Sequence, residues 1–372
     1  MIYFDHNATT PLDPEVLDAM MPFLTSLYGN PSSLHRHGRV VNTALEQARF
    51  QLASLVNVSP EQVVFTSGGT EANNLAISAA LKADKRHVLF GATEHPSVTE
   101  TVGDLSDHGF TTEALAVDNN GLISVDSLLN KLQPTSGFIS VMLANNESGV
   151  IQDVAALSAA VKNKGLVFHT DAVQAAGKVT VDFNQLGVNL MSLSSHKIYG
   201  PKGVGALIHD KATPLSAMQR GGGQEAGLRP GTENVAAIIG FGKAAELAKL
   251  RLNERAQHLA ALQSSLEQGL QDVAGLTVVA AEVDRLPNTS QILLDGIDGE
   301  MLLMQLDQQS IAVSSGSACS SNSKQPSAVL TAMAYPDKLA MSAIRVSLGQ
   351  QNTLTEVNDF VAKVKLIAAQ RR

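Results

Sequence analysis

Between about residues 40 and 210, short apolar runs alternate with stretches in which apolar residues recur every three or four positions. The first rhythm belongs to buried strands and the second to helices with one apolar face. Leu45, Ala48, Leu52 and Leu55 mark such a helix. Val63-Val64-Phe65-Thr66 predicts a short buried strand, followed by a helix over about 71–81. Residues 87–90 and 138–143 predict further strands, with a helix after Pro96 between them. Residues 154–164 predict a helix, 166–169 a strand, and 190–193 and 203–208 the last two strands of this region. Strands alternating with helices predict an α/β fold whose mainly parallel sheet is covered by helices. Such sheets bind ligands beyond the carboxyl ends of their strands.

Leu247, Leu250, Leu259, Leu262, Leu266 and Leu270 keep helical spacing with one gap, which predicts a long helical stretch over 235–272. It leads into a second, smaller α+β domain. The expected division is a large domain over 13–250 and a small one from 1–12 and 251–372. Thr353 and Glu356 have the spacing of a capping box. Leu354, Val357, Val361, Val364 and Leu366 are the expected buried face of the helix that follows.

The chain has 372 residues, 44% hydrophobic and 17% charged, with a formal net charge of −8. No Lys/Arg cluster offers a nucleic-acid surface, and no apolar run is long enough to span a membrane. Met1 to His6 lacks the basic start and apolar stretch of a signal peptide. The single cysteine, Cys319, excludes an intrachain disulfide and fits a reducing compartment. A cytoplasmic protein is expected. Cys319 sits in Ser314-Ser315-Gly316-Ser317-Ala318-Cys319-Ser320-Ser321, a run that reads as an accessible loop. It is either a small filler residue or a nucleophile that must travel.

The polar motifs fall after predicted strands. Thr66-Ser67-Gly68-Gly69-Thr70-Glu71 opens a helix, whose free N–H groups and dipole favour an anion such as phosphate. An ordinary capped turn is the alternative. Lys197, in Ser194-Ser195-His196-Lys197-Ile198-Tyr199-Gly200-Pro201-Lys202-Gly203, stands where an amine is costly unless it has a task. Capture of a carbonyl is the standard use of such an amine. Lys202, in a turn, reads as a solvated competitor. Asp171, in His169-Thr170-Asp171-Ala172-Val173-Gln174, could keep a ring nitrogen protonated or merely cap a turn. His95 could stack on a ring and move protons, or be structural. Asn146 lies in Asn145-Asn146-Glu147, and Arg345 lies on a predicted strand over 344–348. The Arg345 fork suits a substrate carboxylate, with a surface ion pair as the alternative. Together these are the parts needed to hold pyridoxal phosphate and an amino acid.

With these residues the chain resembles a cysteine desulfurase of the NifS/IscS type, within the fold-type I aminotransferase superfamily. The likeness runs nearly end to end. It spans Asp5-His6-Asn7-Ala8-Thr9-Thr10-Pro11, Gly29-Asn30-Pro31-Ser32-Ser33 and the Thr66–Glu71 run. It continues through Thr93-Glu94-His95, Asn145-Asn146-Glu147-Ser148-Gly149, Asp171-Ala172-Val173-Gln174 and the Lys197 motif. It closes with Gly221-Gly222-Gly223-Gln224-Glu225, Arg229-Pro230-Gly231-Thr232, the Cys319 loop and Ile344-Arg345-Val346-Ser347-Leu348-Gly349.

The resemblance implies that Lys197 binds the pyridoxal phosphate aldehyde. It gives the phosphate to Gly69, Thr70, Ser194 and His196, the pyridine nitrogen to Asp171 and the ring hydroxyl to Gln174. His95 would stack on the ring, and Asn146 and Arg345 would hold the substrate carboxylate. Thr232 would reach the phosphate of a neighbouring subunit, which implies a homodimer. The implied reaction turns L-cysteine into L-alanine and leaves sulfur on Cys319 as a persulfide. A protein acceptor in iron–sulfur cluster assembly or thiolation would then receive it.

Overall fold

The structure, a computed structural model, describes residues 1–82, 84–315 and 325–370. Its strands are β1 Ile2–Tyr3, β2 Val63–Thr66, β3 His87–Gly91, β4 Thr111–Leu115, β5 Ser136–Ser140 and β6 Val167–Asp171. They continue with β7 Leu190–Ser194, β8 Gly205–His209, β9 Leu276–Val278, β10 Thr289–Leu294, β11 Ile311–Ala312 and β12 Ala343–Ser347.

Among the described residues, seven strands form one sheet in the order β2-β8-β7-β6-β5-β3-β4. The pairs among β3 to β7 are parallel, and β8 runs antiparallel to both β2 and β7. The expected mainly parallel α/β sheet is therefore present. Both faces are buried, so neighbouring strand residues serve opposite cores. Phe65, Leu89 and Ile139 join one apolar cluster, while Val64, Val88 and Phe138 join another across the sheet. The antiparallel turn of β8 has a consequence for the site. It sets Gly205 between Thr66 and Ser194, so the ends of β2 and β7 meet at one edge of the sheet.

Several elements differ from their sequence-based outlines. The helix expected over 71–81 spans Gly69–Ile77 and is followed by a 3₁₀ turn at Ala80–Lys82. The stretch expected over 235–272 is two helices, Val235–Leu250 and Leu252–Leu270, broken at Arg251 with φ −101° and ψ 9°. The first is buried almost all round, packed against the helices Pro14–Thr25 and Arg36–Leu55. The second offers Leu259, Leu262, Leu266 and Leu270 to a separate cluster with Phe4, Ile292 and Phe360. One straight rod could not face both. β4, Thr-Thr-Glu-Ala-Leu, is half-exposed at the sheet edge and has no apolar run to announce it.

The second sheet, β12-β10-β9, is antiparallel. β1 pairs with β11, and Ser347 N–H donates to Phe4 O at 2.7 Å, so the N-terminal segment lies against these C-terminal elements. The final helix, Leu354–Ala369, carries the expected capping box of Thr353 and Glu356. Its buried face is Val357, Phe360, Val364 and Ile367. Leu354 and Leu366 are 51% and 56% exposed, contrary to expectation, because Phe360 and Ile367 complete the stripe and turn them outward. Among the described residues no helix is long and apolar enough to cross a membrane.

Candidate active site

The carboxyl ends of the strands gather most of the predicted residues at one edge. The helix Gly69–Ile77 begins beyond β2 with Gly68 as its cap, and no side chain caps it. The capped-turn alternative therefore does not hold here. A cleft of about 400 Å³ lies over this helix start, walled by Thr70, Ser194, His196, Lys202 and residues 8–9. Ser194 Oγ is buried without a hydrogen-bond partner. Burial, then Lys197 and Lys202, pulls the His196 pKa down to about 4. An uncapped helix start, an orphaned hydroxyl and nearby lysines fit a phosphate. A larger hollow of about 550 Å³, beside the Arg49–Glu225 ion pair, contains none of the predicted site residues.

Lys197 ends the 3₁₀ turn Ser195–Lys197 that follows β7. Its Nζ donates to the carbonyls of Asn7 and, at 2.8 Å, Ala8. Lys202 is exposed, as its turn suggested, yet it borders the same cleft. Asp171 ends β6 and is buried. Its Oδ1 accepts from Val173 N–H at 2.9 Å and its Oδ2 from Asn73 Nδ2 at 2.7 Å. It thus caps its turn and anchors a second contact at once. Gln174 Nε2 donates to Asn7 O at 3.0 Å, while Gln174 Oε1 accepts from Lys178 Nζ at 2.7 Å.

His95 follows β3 and starts the helix Pro96–Asp104. Its Nδ1 accepts from Ser97 N–H at 3.1 Å and lies 2.8 Å from Ser97 Oγ. Burial and Lys197 lower its pKa, while Asp171 acts the other way, and the ring is neutral near neutral pH. Beside it, Glu94 is fully buried, and burial, then Asp171, raises its pKa well above the usual carboxylate range.

Arg345, on β12, is buried, so the surface ion-pair alternative is wrong. Nη2 pairs with Asp5 Oδ1 at 2.7 Å and Nη1 donates to the Asn146 carbonyl at 3.0 Å, while Nε has no partner. This places Asn146 next to Arg345, where an incoming carboxylate would find both. Thr232 is exposed and does not border the cleft of its own chain. Cys319 lies outside the described residues.

Sequence reasoning gave no role to Asn7, Lys178, Asn73 or Glu94. Asn7 was visible only as part of the Asp5–Pro11 motif. Yet its side chain or carbonyl touches Lys178, Lys197, Gln174, Asn288 and Thr289. No local pattern marks a hub that draws on elements so far apart in sequence.

With this geometry in view, the match to known families is unambiguous. Residues 2–360 match the aminotransferase class-V family model. The chain is 42% identical to the cysteine desulfurase IscS of Dictyoglomus turgidum, over 96% of this chain and 92% of that one. A solved NifS-like protein superposes with a TM-score of 0.93 at 37% identity, covering 99% of both chains. A structure described as SspA in complex with cysteine superposes with a TM-score of 0.83 at 31% identity, over 95% of this chain and 100% of that one. The chain belongs to the class-V aminotransferase family, whose members are pyridoxal-phosphate-dependent.

Proposed function

We infer that this protein is a pyridoxal-phosphate-dependent cysteine desulfurase that converts L-cysteine to L-alanine and passes the sulfur on through Cys319. The carrying observation is the gathering of Lys197, Asp171, His95 and an uncapped helix start at one sheet edge, in a chain 42% identical to a cysteine desulfurase over nearly its full length. Bound pyridoxal phosphate supplies an electron sink for the charge left when the α-proton departs.

The chain's own groups then divide the work. Gly69, Thr70, Ser194 and His196 would hold the phosphate. Asp171 would keep the pyridine nitrogen protonated, Gln174 would donate toward the ring hydroxyl, and His95 would lie against the ring. Lys197 would anchor the cofactor through Nζ and serve as the base that takes the substrate α-proton. Arg345 and Asn146 orient the substrate carboxylate. The Cys319 thiolate attacks the substrate sulfur. The carbon–sulfur bond breaks as the sulfur–sulfur bond forms, and protonation of the carbon gives alanine. L-cysteine and a thiol thus become L-alanine and a persulfide, with atoms and electrons balanced.

The homodimer belongs to the same proposal. Thr232 is exposed and would complete the phosphate site of a second copy. Leu17, Met21 and Leu24 leave an exposed apolar stripe on the helix Pro14–Thr25, which suits a partner surface. A protein acceptor in iron–sulfur cluster assembly or thiolation would take the sulfur. A cytoplasmic setting is proposed from the lone thiol.

The test incubates the purified, cofactor-loaded protein with L-cysteine and measures alanine together with persulfide on Cys319. Stoichiometric alanine and a persulfide at that residue are expected. Alanine without the persulfide, or neither product, overturns the assignment.

A further inference from the structure

The strongest unassigned feature is a line of hydrogen bonds from Asp171 to His95. Asn73 Nδ2 donates to Asp171 Oδ2 at 2.7 Å and to Ser97 Oγ at 2.9 Å. Ser97 Oγ lies 2.8 Å from His95 Nδ1, which also accepts from Ser97 N–H at 3.1 Å. Asn73 and Ser97 are both buried. The four residues come from three segments: Asn73 from the helix Gly69–Ile77, Asp171 from the end of β6, and His95 and Ser97 from the start of the helix Pro96–Asp104.

The directions follow from donor bookkeeping. A carboxylate only accepts, so the Asn73 amide must turn its NH₂ to Asp171. Its second N–H then points at Ser97 Oγ, which must accept it. The Ser97 hydroxyl proton is left for His95 Nδ1. Nδ1, receiving both a hydroxyl and a backbone N–H, carries no proton. A neutral imidazole must therefore hold its proton on Nε2.

We propose that Asn73 and Ser97 are positioning residues that lock His95 as its Nε2–H tautomer and tie its ring to the carboxylate of Asp171. The consequence rests on the reading of this site as a pyridoxal-phosphate enzyme. His95 then meets cofactor and substrate as an N–H donor at Nε2, with a ring that cannot flip. Its facing charges are Asp171, at the end of β6, and Lys197, after β7, which act on it in opposite senses. Asn73 Oδ1 has no partner, so the amide is held from its NH₂ end alone.

The test uses the cofactor-loaded enzyme labelled with ¹⁵N-histidine, read by long-range ¹H–¹⁵N correlation near neutral pH. His95 signals are assigned by their loss in His95→Gln. The expected pattern is an unprotonated Nδ1 and a protonated Nε2. A proton on Nδ1, or exchange between tautomers, overturns the proposal. This measurement needs no substrate, so it decides the lock even if L-cysteine is not turned over.

Two variants test the consequence. Ser97→Ala is expected to keep full cofactor absorbance, lose about tenfold in kcat, and shift the imidazole titration upward. The upward shift follows because a donor to the unprotonated Nδ1 has been removed. Ser97→Thr, which keeps the hydroxyl, is expected to restore both. If Ser97→Ala matches the parent enzyme in kcat and in the His95 signals, Ser97 does not position the ring.

Discussion

Lys178 and Lys197 converge on one residue. Lys197 Nζ donates to the Asn7 carbonyl, and Lys178 Nζ donates to Asn7 Oδ1 at 2.8 Å. Lys178 is buried, and its other contact, Gln174 Oε1, is also neutral. Burial, then Lys197 and Arg345, holds its pKa well below the usual range. Its amine is thus the donor that keeps the Gln174 amide NH₂ turned toward the Asn7 carbonyl. Lys178→Met leaves the buried Gln174 Oε1 unmet, at about 1–3 kcal/mol, while Asn7 Oδ1 keeps only its bond from Asn288 Nδ2. The expected result is a lower Tm by calorimetry and faster loss of cofactor on dialysis. An unchanged Tm with cofactor retained would sink the idea.

Arg345 is aimed by Asp5. Their 2.7 Å ion pair leaves the buried Nε open. Asp5→Asn weakens that hold without emptying the site. The expected effect is a rise of about tenfold in KM for L-cysteine, near 1.4 kcal/mol, with kcat and the cofactor spectrum little changed. Arg345→Gln should cost at least another tenfold in kcat/KM. Steady-state kinetics on both variants decide it, and an unaltered KM in Arg345→Gln removes the carboxylate role.

The phosphate cradle depends on the bare backbone of Gly205. A Cβ there would lie 2.5 Å from the carbonyl carbon of Gly68 and 2.7 Å from the Leu193 carbonyl oxygen. Gly205→Ala must therefore push on the start of the helix Gly69–Ile77. The expected outcome is at least about tenfold weaker pyridoxal phosphate binding by fluorescence titration. An affinity equal to that of the parent enzyme would refute the cradle.

Acid should destabilise the fold through His169. The ring is fully buried, with Nδ1 2.9 Å from Ser140 Oγ and Nε2 3.0 Å from Ser192 Oγ, and burial pulls its pKa from 6.5 to about 3. Between those values the unfolded chain binds a proton that the folded chain refuses. Stability therefore falls as pH drops from about 6.5 toward 3, by about 2 kcal/mol at pH 5 relative to neutral. His6, drawn to about 4 by burial and then Lys178, adds a loss of the same sign. Urea midpoints at pH 7 and pH 5 measure the slope. His169→Asn should flatten it, and an identical slope would assign the effect elsewhere.

Cys319→Ser separates cofactor chemistry from sulfur capture. The variant should keep the visible cofactor band and show the spectral change on adding L-cysteine, yet lose alanine formation by at least about a hundredfold. Continued turnover would remove Cys319 from the sulfur path.

Local pattern by itself marked the buried strands β2, β3, β5, β6, β7, β8 and β12 and the cap of the last helix. Val63–Thr66 reads as buried because its apolar run needs no partner to be recognised. Thr353 and Glu356 announce the last helix because a cap satisfies its own backbone within four residues. Lys197, Asp171 and His95 stand out because costly groups follow apolar runs. Tertiary structure alone decided where the chain breaks at Arg251, because the two halves of that stretch serve different cores. It also made Asn7 a hub, buried Arg345 against Asp5, and joined Asn73, Ser97 and His95. Those contacts link residues up to 340 positions apart. Short-range periodicity carries no information about which polar groups will be stripped of water together, and only the closed fold pairs them.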